Sequence, residues 1–349
     1  MLGAGDRDAR RPTTLLRFGW YLLRTRSVDA SWIIALARWH RVRVVVSATP
    51  NRPYFGVVRA HLPGVRVVVI GSGTRLPSEI GALKEVLQRH SGGALQHEFC
   101  DAFVAMSSLD LVPYRSVGLE IRSLMPIGGL MDSIHRSRGP GRGGADLAVV
   151  LVKRTTFRLD HESQYRENQS NSRKILFDLL ARYCVDRRIR PVFVVQPGKP
   201  EAVHDQEELI RESFNANFLV AGNEDPFSSY DAVMAARVTL GDQSTMLREA
   251  LGRGKRILSV NMTDDPSLDF PMDGPWLLRR PTYEQFAERM DWIRGMSDAQ
   301  WAGVIGDAPR RLVNYNPAYP THVFEGSRHG DRRGSAVAGG DLVTRRRVG

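Results

Sequence analysis

The stretch "GDQSTMLREALGRGKRILSV" (241–260) gathers residue types that bind anionic, hydroxyl-rich ligands. An apolar run ends in Gly-Asp-Gln, Ser244 and Thr245 open a helical pattern, and Glu249 stands five positions after Ser244. Serine and threonine are strong helix N-caps. A helix start exposes unpaired backbone N–H groups and the positive end of the helix dipole, which together attract phosphate. The two hydroxyls would contact a diphosphate, and the Glu249 carboxylate would accept hydrogen bonds from ribose or sugar hydroxyls. The competing reading is a capped helix whose glutamate completes the cap or faces solvent. Asp242, just ahead of the pair, reads as a turn residue. No metal is expected: the four aspartates of "TDDPSLDFPMDG" (263–274) match no calcium loop, and Cys100 and Cys184 lack metal-type neighbours.

Such a helix start is useful only if strands on both sides hold it. "RVTLGD" (237–242) and "KRILSVNM" (255–262) are those strands. "DLAVVLVKR" (146–154), "IRPVFVVQPGK" (189–199) and "NFLVAG" (217–222) read as further strands, the first buried on both faces as in a parallel sheet. Helical patterns alternate with them. "SRKILFDLLARYCVDRR" (172–188) places Ile175, Leu179, Leu180 and Tyr183 on one face, and "EELIRESF" (207–214) and "SSYDAVMAA" (228–236) follow. This alternation predicts βαβ crossovers, with ligand binding in the crevice at the carboxyl ends of the strands. "PTYEQFAERMDWIRGMSDAQWAGVIGDAPRRLV" (281–313) predicts one or two closing helices.

The first half is a looser α/β unit. "RVRVVVSATP" (41–50), "GVRVVVIGSG" (64–73), "CDAFVAMSS" (100–108) and "RSLMPIGGL" (122–130) read as strands, with a helix over 76–90. Residues 131–146, rich in Gly, Arg and Ser without periodicity, read as the linker region. The predicted organisation is a short first lobe over 1–138, a linker over 139–145, a second lobe over 146–322 and a disordered basic tail over 323–349.

The net charge of +11 does not imply nucleic-acid binding, because the excess sits at the two ends and no basic groove interleaves aromatics. Residues 1–43 carry nine arginines against three acidic residues, and "LLRFGWYLLRTR" (15–26) mixes arginine with Trp, Tyr and Leu. That pattern suits weak peripheral contact with an anionic membrane, although an ordinary basic helix would look the same. No apolar run approaches the roughly 20 residues needed to span a bilayer, and no signal peptide is read. Two distant cysteines fit a cytoplasmic setting, with contact at the inner face of the membrane.

The segment "YDAVMAARVTLGDQSTMLREALGRGKRILSVNM" (230–262) resembles the nucleotide-sugar lobe of GT-B glycosyltransferases, and more narrowly bacterial surface-carbohydrate and O-antigen biosynthesis proteins. Residues 97–133 resemble their crossing between lobes, and 269–301 their closing segment. The resemblance implies two Rossmann-like lobes with parallel sheets, a nucleotide-sugar donor as co-substrate without further cofactor, and a glycan or lipid-linked acceptor. It places Ser244 and Thr245 on donor phosphate and Glu249 on donor hydroxyls. Lys153 and Arg154, closing one strand, would face the phosphates, and Gln196 and Lys199 would share that sheet edge. Members of this wider group often carry a Gln-His-Gly turn in the first lobe. Here "LQHEFCDAF" (95–103) lacks the glycine, which leaves His97 as the candidate base. The alternatives are an epimerase of the same architecture, drawing carboxylates from Asp101, Asp110, Glu120 or Asp132, and a non-catalytic nucleotide-sugar-binding subunit.

Overall fold

The structure is a computed structural model. It describes residues 12–25, 27–47, 54–71, 73, 80–81, 84–85, 98–137, 144–150, 162–195, 207–208, 210–214, 217–221, 227–242 and 244–316. The expected tail, and most of the helix expected over 76–90, lie outside these residues.

The first elements among the described residues form a helical hairpin, α1 (Pro12–Thr25) and α2 (Val28–Trp39). Ser27 caps α2 by accepting from the Ala30 N–H, and Thr25 Oγ1 bonds Ser31 Oγ at 2.9 Å to pin the turn. The elements that follow are β1 (Val44–Ser47), α3 (Tyr54–His61), β2 (Arg66–Ile70), β3 (Glu98–Cys100), β4 (Ala102–Ala105), α4 (Val112–Ser116), β5 (Glu120–Ile121), β6 (Leu124–Pro126) and α5 (Leu130–Ser137). Strands β1, β2, β4 and β6 form a parallel sheet in that spatial order. The valine-rich β1 and β2 suit such a sheet because β-branched side chains pack well on a pleated surface. Val67, Val69, Phe103 and Tyr114 fill one side of it, with the two rings edge-on at 5.1 Å.

The second lobe holds β7 (Leu147–Val150), α6 (Glu162–Asp186), β8 (Val192–Val194), β9 (Leu219–Ala221), α7 (Ser228–Ala235), β10 (Val238–Gly241), α8 (Thr245–Gly252), β11 (Ile257–Asn261) and β12 (Leu277–Arg279). Its six strands are all parallel, in the order β9-β8-β7-β10-β11-β12. The chain starts in the middle, winds outward to β9, then returns to the centre and winds the other way. This is the doubly wound arrangement, and its switch point lies between β7 and β10. β7, β10 and β11 are buried at every position, which suits their mostly apolar runs, broken by the buried Thr239, Ser259 and Asn261. A cluster of Phe177, Phe193 and Phe214, with centroids 4.9–5.9 Å apart, fills the space between α6 and the sheet.

Three helices end the described part of the chain, α9 (Tyr283–Gly295), α10 (Asp298–Ile305) and α11 (Ala308–Leu312), where the sequence pattern of 281–313 predicted one or two. Capping boxes at Thr282 and Ser297 separate the first two. After α11 the chain returns to the first lobe, where Asn314 N donates to the Met106 carbonyl (2.7 Å) and Asn314 Nδ2 to that of Pro126 (2.5 Å).

Two expectations need correction. The region read as linker begins inside a helix, since residues 130–137 form α5 with Asp132, Ser133 and His135 buried. Its buried face is polar because Asp132 and His135 meet Arg253, Tyr230 and Asp231, while the apolar Met131 and Ile134 lie exposed, so the burial is the reverse of an ordinary amphipathic helix. The inner face of α6 is set by Leu176, Phe177, Leu180, Tyr183 and Cys184, whereas Ile175 is exposed.

Candidate functional site

β10 runs to Gly241, the chain turns at Asp242, and Ser244 caps α8 by accepting from the Met246 N–H at 3.3 Å. The start of α8 therefore sits at the carboxyl edge of the sheet, beside the switch point. Ser244 and Thr245 are half-buried there. Opposite them stands the turn after β2 in the first lobe: a Cβ on Gly73 would lie 2.8 Å from Thr245 Oγ1. The helix start thus faces the other lobe across a gap that only a glycine fits.

A pocket opens beside it along the same edge, lined by Ser172 and Arg173 of α6, Asp242, Asn261 at the end of β11, and Met262 and Thr263 after it. Arg173 is 9% exposed and donates to Asp242 Oδ2 at 3.2 Å. Asp242 is thereby an ion-pair partner as well as a turn residue. Ser259 Oγ donates to the Asp242 carbonyl at 2.6 Å. Asn261 is held from both ends, donating to Asp269 Oδ1 (2.8 Å) and accepting from Thr263 Oγ1 (2.7 Å). Cationic, carboxylate and amide groups with fixed orientations therefore converge at the edge where doubly wound sheets bind ligands.

Glu249 lies elsewhere. One turn further along α8 it is 3% exposed and turned towards α5 and α7, with Oε2 accepting from the Tyr230 hydroxyl at 2.9 Å. Its other oxygen abuts the backbone of the first lobe: a Cβ on Gly129 would stand 2.6 Å from Oε1. Burial, with a smaller contribution from Asp132, pushes the Glu249 carboxyl up to about 8, against the opposing pull of Tyr230, Arg253 and Arg248. Burial and the same glutamate push the Tyr230 hydroxyl upward as well. Burial thus favours the neutral carboxyl of Glu249 over its carboxylate.

Around it runs a polar network joining the lobes. Arg253 donates to Asp132 Oδ1 (2.6 Å) and to the Asp132 carbonyl (2.8 Å), and Arg136 donates to Asp132 Oδ2 (2.9 Å). His135 stacks on Tyr230 at 5.2 Å and meets Asp231 through Nε2 at 2.8 Å. On the neighbouring face of α8, Arg248 is 1% exposed. It donates twice to the Leu312 carbonyl (2.8 and 2.9 Å), to Ser107 Oγ (2.9 Å) and to Asp110. One helix thus presents its start to the ligand edge and its flank to the first lobe.

Of the residues singled out from sequence, Ser244, Thr245 and Glu249 share α8, with Glu249 facing away from the pocket. His97, Lys153, Arg154, Gln196 and Lys199 lie outside the described residues. Asp101 pairs with Arg59 and accepts from the Val67 N–H (2.8 Å), Asp110 pairs with Arg248, and Asp132 pairs with Arg136 and Arg253. These carboxylates are committed to structural partners, and nothing is described of the Glu120 side chain. Sequence reasoning missed Arg173, Arg248 and Tyr230. Arg248 had a local signal, being a charge at the border of the apolar face formed by Leu247, Ala250 and Leu251, about 60° from Leu251. Arg173 and Tyr230 had none, since Arg173 meets Asp242 across 69 positions and Tyr230 meets Glu249 across 19.

With two parallel sheets, a doubly wound second lobe and a C-terminal return to the first, the architecture can be compared with solved structures. S. aureus MnaA in complex with UDP superposes with a TM-score of 0.52 at 11% identity, covering 92% of this chain and 82% of that one. An α,α-trehalose-phosphate synthase (UDP-forming) from Burkholderia xenovorans gives 0.51 at 12% identity, covering 90% and 78%. A structure titled "putative UDP-N-acetylglucosamine 2-epimerase", from Listeria monocytogenes, gives 0.51 at 10%, covering 87% and 78%. The chain has the two-lobed GT-B type of fold. Residues 152–321, the larger part of its second lobe, match the family described as "putative O-antigen biosynthesis protein". No curated protein matches the sequence.

Proposed function

We propose that this GT-B-like protein binds a nucleotide-activated sugar at the carboxyl edge of its second sheet and transfers the sugar to a surface-polysaccharide or O-antigen precursor. The observation that carries the reading is the Ser244-capped start of α8, set beside the switch point and facing the first-lobe turn at Gly73. The match of residues 152–321 to an O-antigen biosynthesis family supports a surface-polysaccharide acceptor. In the transfer, an acceptor hydroxyl oxygen bonds to the anomeric carbon as the bond from that carbon to the diphosphate oxygen breaks. The electron pair leaves with the nucleoside diphosphate, and the acceptor proton passes to a base, for which His97 is the candidate. Helix-start N–H groups, the Ser244 and Thr245 hydroxyls and the Lys153–Arg154 pair would stabilise the departing charge, with Gln196 and Lys199 on the same edge. Cytoplasmic residence follows from the location of activated sugar nucleotides.

The test is a thermal-shift panel of UDP, GDP, CMP, dTDP and CDP, followed by hydrogen exchange with the best ligand. A nucleotide at 100 times its Kd stabilises the native state by about 2.7 kcal/mol. Protection should fall on residues 172–176 and 242–263. A panel with no shift, or protection confined to residues 1–130, overturns the reading. Conversion of the donor to an epimeric sugar without acceptor would instead make the protein an epimerase of the same fold.

A further inference from the structure

The hairpin of α1 and α2 carries an apolar stripe that nothing in the described structure covers. On α1, Leu16 and Leu23 are 75% and 82% exposed, with Leu15 and Trp20 near half. The opposite side holds the helix in place: Tyr21 and Thr25 are buried, and Phe18 stacks on Trp32 at 4.6 Å. At about 100° per residue, Leu23, Leu16 and Trp20 project at roughly 80°, 100° and 140° from Leu15, and Arg24 and Arg17 follow at roughly 180° and 200°. The exposed apolar stripe is therefore bordered by two exposed arginines. Arg24 lies over the Trp20 ring, 3.8 Å from its centroid. No acidic residue occurs in residues 12–25, and residues 1–43 as a whole are strongly basic.

We infer that α1 docks on an anionic membrane surface, its Leu16–Trp20–Leu23 stripe entering the headgroup–acyl boundary and its arginines pairing with lipid phosphates. Charge decides the occupant. A second copy would bring the same uncompensated arginines against this stripe, whereas an anionic lipid surface complements both the apolar stripe and its basic border. Among the described residues no helix is long and apolar enough to cross a membrane, so α1 lies in the interface rather than spanning it. The aromatic ring beside the arginine suits that depth, because its body is apolar and its edge polar. On the transferase reading this contact would bring a lipid-linked acceptor to the protein, but the docking itself does not depend on that reading.

The experiment is flotation of the full chain with phosphatidylcholine vesicles, with and without about a quarter phosphatidylglycerol. The comparison is with Leu16→Ser/Leu23→Ser, which keeps the charge of the basic ends unchanged, and with Val185→Ser, which alters an equally exposed residue of α6. Binding is expected to the anionic vesicles alone, weakened about tenfold or more by the double variant, unaffected by Val185→Ser, and reduced at ~0.5 M salt. Circular dichroism melting checks that the double variant stays folded. Absent binding at low salt overturns the proposal. So does binding that ignores the double substitution, which would assign the attraction to the basic ends alone. A self-association abolished by Leu16→Ser/Leu23→Ser without vesicle binding would make a second copy the occupant. A missing donor in the nucleotide panel leaves the vesicle result unaffected, so the two readings fail separately.

Discussion

Glu249→Gln should change how stability depends on pH more than it changes stability itself. The native state holds the Glu249 carboxyl near 8, whereas an unfolded chain titrates it near the ordinary glutamate value of 4.5. Between those values the native protein binds a proton that the unfolded chain has released. The contribution is therefore fully present below about 4.5 and is lost as pH rises towards 8, at up to about 1.4 kcal/mol per pH unit. Across pH 5 to 8 the wild type should lose about 2–4 kcal/mol through this group. Glutamine has nearly the same shape and no titration. At pH 5 its carbonyl still accepts from Tyr230, so the variant should lie within about 1 kcal/mol of the wild type.

By pH 8.5 the variant should equal or exceed the wild type. Urea unfolding followed by tryptophan fluorescence reads the difference, since Trp276 and Trp301 are buried in the second-lobe core. Subtracting the variant from the wild type at each pH removes the other titrating groups. A difference that stays flat from pH 5 to 8.5 would refute the reasoning, and one that grows in favour of the wild type with rising pH would reverse it. The same proton links to ligand. If donor hydroxyls are accepted by the Glu249 carboxylate, binding must expel the proton, so donor affinity should rise between pH 7 and 8.5 in the wild type and stay level in Glu249→Gln.

Gly129→Ala should destabilise by about 1–3 kcal/mol, because the added methyl must displace the Glu249 carboxyl or the backbone beside it; an unchanged melting temperature would show that the two lobes yield there. Arg248→Met should cost about 3–5 kcal/mol by leaving Asp110 and the Leu312 carbonyl without their donor, and adding Asp110→Asn should recover part of it in chemical denaturation. Ser244→Ala should cost about 1 kcal/mol from the lost cap while weakening nucleotide binding in the thermal-shift assay; the stability loss without any loss of binding would confine Ser244 to capping.

The second lobe was legible in the sequence because its central strands β7, β10 and β11 are buried on both faces and so appear as mostly apolar runs. The capped helix between β10 and β11 announced itself through Ser-Thr, and the alternation of runs and helical patterns gave the doubly wound order its raw material. Polar junctions were harder to read. α5 packs Asp132 and His135 against Arg253 and Tyr230, so its buried face looks like the surface of a loop. The role of Glu249 was also only half legible. Spacing from Ser244 placed it on the right helix, but its orientation depends on Tyr230 and Gly129, which approach from other segments of the chain. Nothing local to residues 244–249 records which of the two sides its carboxyl takes.

The arrangement of α8 explains why so short a helix carries so many polar residues at buried positions. Leu247, Ala250 and Leu251 anchor it in the second-lobe core. That leaves its start for Ser244 and Thr245, and its remaining flank for Arg248 and Glu249, which meet Ser107, Asp110 and Gly129 of the first lobe. A ligand seated over the helix start lies within reach of the Gly73 turn, so its binding and the packing of the two lobes act on one rigid element. Coupling of that kind is reciprocal: whatever free energy the ligand adds to lobe closure, the interlobe contacts add to ligand affinity. On the proposed donor reading, Arg248, although buried away from the pocket, would contribute to the affinity of the site as well as to the stability of the fold.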